Sequence, residues 1–176
     1  PMAFVHELGH SLGLQDLYNG LGNDDFEQAS MYVGTFDYMS YGYSESTAPT
    51  LLGWDRWRLG WIDDAQVICA RPSVGTEIVL QALQGGSGPL IAVLPISATK
   101  AVVIESRRAI GWDKNLVEAG ALVYSVDTSI DTTEGPIQVI AESFGNGFDK
   151  APLSAGEFID ALGYTVTSDR KSTRLN

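Results

Sequence analysis

The run His6-Glu7-Leu8-Gly9-His10-Ser11-Leu12-Gly13-Leu14-Gln15-Asp16-Leu17-Tyr18 constrains this chain more than any other stretch of it. Two histidines four residues apart on a helix project from the same face, one turn apart, so their imidazoles can share one metal ion. Glu7, beside the first of them, is placed to take a proton from a water at that ion. Gly13 can adopt the positive-φ conformation that ends a helix, turning the chain so that Asp16 can reach back. His6, His10 and Asp16 would then leave a fourth position open, which is the pattern of catalytic rather than structural zinc. The chain holds 2 histidines in all, and both lie here. A bare His-Glu-x-x-His arises by chance in roughly one chain in a few hundred, and the glycine and acid at fixed offsets make the match much rarer.

Two other acids compete for the third ligand position. Glu27 lies farther along, where thermolysin-like enzymes place a glutamate, but the residues that normally support that glutamate are not found around it. Asp37 sits in Gly34-Thr35-Phe36-Asp37, one residue short of the Gly-Thr-x-x-Asp pattern of another zinc peptidase clan. Asp16 ranks ahead of both on spacing. A separate cluster, Asn23-Asp24-Asp25, offers oxygen ligands for calcium, although such runs are more often solvated turns.

Composition removes several classes of function. A net charge of -11 argues against a nucleic-acid partner, for which a basic face is expected. No apolar run approaches the length that spans a bilayer. The single cysteine, Cys69, excludes an intramolecular disulfide and disfavours thiolate metal sites. The acidic balance and scarce cysteine are compatible with a secreted bacterial protein.

Along the chain, residues 2–12 read as a helix with Met2, Val5, Leu8 and Leu12 on a core-facing stripe, and Pro1 fits its first turn. Ser46-Thr47-Ala48-Pro49 offers a cap for a second helix running to about Leu59, with Leu51, Trp54, Trp57 and Trp61 as its apolar stripe and Gly60 as its stop. The period then changes. Residues 77–83, 90–94, 101–106, 121–126, 137–141 and 164–167 are short, β-branched and apolar, divided by turns such as Gly85-Gly86-Ser87-Gly88-Pro89, which is the pattern of a β-sandwich or meander. The acids Glu105, Asp127, Asp131 and Glu134 of this region read as solvated. Asp169 to Asn176 is similar to the translation of a sequencing-library adapter, GAT CGG AAG AGC ACA CGT CTG AAC, and is set apart from the expected fold.

Gly34-Thr35-Phe36-Asp37-Tyr38-Met39-Ser40-Tyr41-Gly42 supplies a further signal. A methionine in a tight turn gives a polarizable floor beneath a metal site, and a tyrosine two residues later could approach the metal or stabilise an oxyanion. An elongated zinc motif with a Met-x-Tyr turn resembles the metzincin clan of zinc endopeptidases, with aspartate in place of that clan's commoner third histidine. The combination of Asp16-Leu17-Tyr18, Phe36-Asp37-Tyr38-Met39-Ser40 and Trp57-Arg58-Leu59-Gly60-Trp61 looks like the immune inhibitor A family of secreted bacterial metallopeptidases. Val103-Ile104-Glu105-Ser106-Arg107 and Gly120-Ala121-Leu122-Val123-Tyr124-Ser125-Val126-Asp127 are similar to the β-rich region that follows that family's catalytic domain.

The resemblance implies an α+β fold: residues 1–64 as the C-terminal, mainly helical part of a metzincin-like zinc peptidase domain, and residues 65–168 as a β-rich, sandwich-like domain. It implies a secreted zinc endopeptidase acting on proteins or peptides, with His6, His10 and Asp16 on zinc. Glu7 would act as acid and base, Tyr41 as an oxyanion donor, and Met39 as the structural turn residue. In that clan, strands before the zinc helix align the substrate. The chain is therefore expected to be an internal piece of a longer protein, with residues 169–176 a foreign tail and with little activity by itself. The rival reading is a non-catalytic binding module, its β-rich half recognising a surface beside an inert or structural zinc site.

Overall fold

The structure is a computed structural model, and it describes residues 2–21, 25–41, 50–71, 76–143, 148–169 and 173–175. Its frame is a five-stranded sheet in the order β1-β3-β4-β5-β6, built from Val67–Cys69, Ile91–Pro95, Lys100–Arg107, Gly120–Asp127 and Ile137–Val139. β1 runs parallel to β3 and the other neighbours are antiparallel, with Val103 opposite Tyr124 at the centre of the longest pairing. A second, antiparallel sheet has the order β2-β9-β8-β7, from Thr76–Ile78, Thr173–Leu175, Tyr164–Ser168 and Phe158–Ala161. The tail set apart on sequence grounds thus contributes the strand that joins β2 to β8.

Both faces of the five-stranded sheet are covered, and the period of two sorts its side chains. Ile91, Val93, Ala101, Val103, Leu122, Tyr124 and Val126 point to one face. There they meet Leu14, Leu17, Val33, Phe36, Met39, Leu51 and Leu52 from the first third of the chain. Ala92, Leu94, Val102, Ile104, Ala121 and Val123 point the other way, onto Ile78, Ile159, Ala161 and Val166 of the second sheet. Each such aliphatic side chain, once fully buried, favours folding by about 1.5–3 kcal/mol. The core containing Met39 and Phe36 is continuous with the sheet, so the stretch His6 to Tyr18 rests on the β region rather than beside it.

The expectation of a mainly helical first part is overturned. Three short α-helices are present among the described residues: α1 at Met2–Ser11, α2 at Phe26–Ala29 and α3 at Gly53–Arg58. The protein is predominantly β, in two sheets. Backbone donors before α3 are claimed by buried acids instead of a helix: Thr50 N–H donates to Asp113 Oδ1 at 3.3 Å and Leu52 N–H to Asp37 Oδ2 at 2.5 Å. Leu52 is accordingly extended, at φ -57° and ψ 149°. Residues 46–49, the expected cap, lie outside the described residues.

The α1 stripe also turns out differently. Val5, Leu8 and Leu12 are 41%, 47% and 50% exposed. The inward face is that of His6 and Gly9, because the absent Cβ of Gly9 lets Met39 approach the helix directly. Leu51, two residues before α3, is buried, and on α3 Trp54 and Trp57 are half-buried with their rings edge to face at 5.5 Å. Trp61, by contrast, is 62% exposed. It lies beyond the stop at Gly60, whose φ of +71° lets Trp61 N–H donate to Arg56 O at 2.8 Å.

Glu105 is not a solvated acid. It is wholly buried, as is Arg107, and Arg107 Nη1 lies 2.9 Å from Glu105 Oε1 while its Nη2 lies 2.8 Å from Asp113 Oδ1. Glu105 Oε2 accepts the Gly53 N–H at 2.7 Å and the Tyr124 hydroxyl at 2.8 Å. The Tyr124 oxygen in turn accepts the Trp54 N–H at 3.1 Å. Two of the orphan donors at the start of α3 are thereby satisfied from β4 and β5, with a negative charge at the positive end of the helix.

Candidate metal centre

α1 carries His6 and His10 one turn apart, their ring centroids 4.9 Å from each other. Gly13, at φ +89°, ends the helix: its N–H donates to His10 O at 2.9 Å and the Leu14 N–H to Gly9 O at 3.0 Å. The chain then reverses so that Asp16 faces both histidines. Its Oδ1 lies 3.0 Å from His6 Nε2 and 3.1 Å from His10 Nε2. One ligand atom from each of the three side chains falls within 4.8 Å of the others. Among the described residues, no other such group of three or more is found.

The other ring nitrogens are fixed by the backbone. His6 Nδ1 is 3.0 Å from Tyr38 O, and His10 Nδ1 is 3.0 Å from Leu14 O. A carbonyl oxygen and a carboxylate oxygen both only accept, so each ring donates through Nδ1 or through Nε2 according to its tautomer. In the tautomer that donates through Nδ1, both Nε2 lone pairs face the same carboxylate oxygen. Three electron-pair donors converging on one point suit a shared cation. One divalent ion satisfies all three at once, and two imidazoles plus a carboxylate form a donor set suited to zinc.

Beneath the centre runs the Met39 turn. Met39 is wholly buried, its N–H donates to Asp37 Oδ1 at 2.7 Å, and its carbonyl accepts the Leu17 N–H at 2.7 Å. The Ser40 hydroxyl donates to Gly34 O, closing the turn. The ligand loop at 14–18 and the turn at 38–40 are therefore tied together, and the Tyr38 carbonyl that orients His6 belongs to that same turn.

The remaining candidates fall in different places. Glu7 is exposed on α1. Tyr41 is 37% exposed, and its ring centroid lies 6.2 Å from that of Tyr18. Asp37 is buried away from the histidines, with both oxygens committed to backbone donors, so it holds the turn rather than joining the ligand group. Glu27 is exposed in α2 and lies outside the ligand group. Of the calcium candidates, Asn23 and Asp24 lie outside the described residues. Asp25 caps α2, its Oδ1 accepting the Glu27 and Gln28 N–H groups at 3.0 and 3.3 Å.

Two neighbours of the centre escaped the sequence reading. Tyr18 has its ring centroid 6.1 Å from that of His6. Its phenol is held above its usual range by partial burial first, then by the charge of Asp16 and a hydrogen bond to it, and last by the charge of Glu7. Its position two residues after Asp16 was a usable signal, since alternate residues of an extended segment share a side. Thr132, 116 residues from Asp16, had none. No protein-family model, curated protein or solved structure matches the chain.

Proposed function

We propose that this chain carries the zinc site of a secreted metalloendopeptidase of the immune inhibitor A type, acting on proteins or peptides. One observation carries the reading: two imidazoles, each fixed through Nδ1 to a backbone carbonyl, turn Nε2 onto a single Asp16 oxygen at 3.0 and 3.1 Å. Such an arrangement orients the ligands before any ion is present. His6, His10 and Asp16 would hold the ion. When bound, zinc supplies a water of lowered pKa and a positive charge that polarises a carbonyl.

The chain's own residues supply the proton path. Glu7 accepts a proton from the attacking water and delivers it to the leaving amine nitrogen. Tyr41, exposed beside Tyr18, donates its hydroxyl to the oxygen that gains charge in the transition state. The solvent side of the centre is His10, whose side chain is 33% exposed. Three ligands with one open flank favour a catalytic site over a structural one, which four protein ligands would close.

The experiment has two parts. Zinc titration of this chain should give one ion per molecule, lost in His6→Ala and His10→Ala. In the full-length protein, Glu7→Gln should keep the zinc and lose peptide hydrolysis. Equal turnover by Glu7→Gln would remove the peptidase assignment, and absence of zinc binding would remove the site itself.

A further inference from the structure

The loop between β5 and β6 reaches across the molecule and clasps the segment that carries Asp16. Asp16 N–H donates to Thr132 Oγ1 at 2.9 Å, and Thr133 N–H donates to Asp16 O at 3.2 Å. Gly20 N–H donates to Thr133 O at 3.3 Å. The fourth bond runs to the ligand itself: the Thr132 hydroxyl donates to Asp16 Oδ2 at 3.3 Å. The Thr132 hydroxyl thus accepts from the Asp16 backbone and spends its one proton on the Asp16 side chain.

The clasp is held in an uncommon backbone state. Thr133 has φ +64°, a left-handed conformation unfavourable for a β-branched residue. Strain of this kind persists where the surrounding structure over-determines it, and it gathers at functional sites. Gly20 provides the room, since a Cβ there would lie 2.9 Å from Thr133 Oγ1. The consequence is a division of labour between the two oxygens of Asp16. Oδ1 faces both Nε2 atoms, and Oδ2 is tied to the β region.

We infer that Thr132 is a positioning residue for the metal centre: its hydroxyl fixes the Asp16 carboxylate so that Oδ1 alone is presented to the ion. The β region is then part of the centre and not an appended module. This rests on reading His6, His10 and Asp16 as metal ligands. A threonine that only pinned the loop would act through its backbone acceptor bond and would leave ion affinity unchanged.

The test is titration of this chain with Co2+, followed by its visible d–d absorption, together with Zn2+ competition against a chromophoric chelator. Thr132→Ala and the isosteric Thr132→Val should weaken both ions by about 10–100-fold and change the cobalt spectrum. Thr132→Ser should restore affinity and spectrum, and the metal-free melting temperatures of all three should stay near that of the parent. Wild-type affinity and an unchanged spectrum in Thr132→Ala and Thr132→Val overturn the inference while leaving the metal site standing. If the parent chain binds neither ion, and His10→Ala behaves identically, the metal reading falls and this inference falls with it.

Discussion

Gly9 and Met39 meet so closely that a Cβ built on Gly9 would lie 2.5 Å from Met39 Sδ and 3.2 Å from Met39 Cε. α1 therefore sits on its methionine floor only because residue 9 is a glycine. Met39 is wholly buried, so it has little room to retreat. Gly9→Ala should destabilise the metal-free chain by about 1–3 kcal/mol through overpacking, read as a lower urea midpoint at unchanged slope. Shortening the opposing residue supplies the control. In a double-mutant cycle, Gly9→Ala with Met39→Ala should cost less than the sum of the single changes, and strict additivity would show that the contact carries no strain.

The buried ion pairs invite a second substitution. Arg107 lies between Glu105 and Asp113, all three inside, with its guanidinium carbon 5.6 Å from the Phe36 ring centroid. Such an arrangement is weak evidence of net stability, but removing one partner strands the others without water. Arg107→Met should cost about 3–5 kcal/mol or prevent folding outright. Replacing Glu105, Arg107 and Asp113 together by apolar residues should cost less than Arg107→Met alone. If Arg107→Met melts within a degree of the parent, the pairing does not matter to stability.

Much of this was legible in the chain. The His6-to-Asp16 spacing identified the three residues that the fold brings together, since local helix geometry and one glycine stop fix most of their arrangement. Six of the strands were visible as β-branched runs, because a strand buried on both faces leaves a continuous apolar signature. The helical content of the first part was over-read. The backbone donors of Thr50, Leu52 and Gly53 go to Asp113, Asp37 and Glu105 rather than into a helix, and such pairings leave no periodic trace. Glu105 looked solvated because nothing local shows that Arg107, two residues on and on the same face of β4, turns inward with it. β1 and β7 gave no such run, and β9 lies in the tail that was set apart as foreign.

Titration of the interior gives a third expectation. Burial, and next the charge of Asp55, push the Asp37 carboxyl up to about 8, against two backbone N–H bonds and the Arg107 charge. Burial likewise raises Asp55 to about 6, with Arg58 opposing. Unfolded, both titrate near ~4. Between these values the two acids hold more protons in the folded chain than in the unfolded one, so their contribution to stability is full below pH ~4 and declines as pH rises through 6 and then 8. The metal-free chain should show a higher urea midpoint at pH 5 than at pH 8.5. Asp55→Asn should flatten the part of that decline between pH 4 and 6, and a slope identical to the parent's would refute the contribution of Asp55.

Adding and removing zinc tests the proposed ligand set directly. An ion that binds only the folded chain stabilises it by RT ln(1 + [L]/Kd), about 4 kcal/mol at a free concentration a thousand times Kd. For a chain of this length that corresponds to a rise in melting temperature of roughly 10 °C. EDTA should abolish the rise in the parent, and His10→Ala should melt at one temperature with or without zinc. Glu7→Gln should show the full rise, because Glu7 is exposed on α1 and stands outside the ligand group. The informative comparison is Asp37→Asn against Asp16→Asn. Asp37 gives its oxygens to Met39 and Leu52, so its loss should lower the metal-free melting point and leave much of the zinc increment. Asp16 gives Oδ1 to the two imidazoles, so its loss should remove the zinc increment and leave the metal-free fold nearly as stable. The reverse pattern would make Asp37 the third ligand and Asp16 the structural acid.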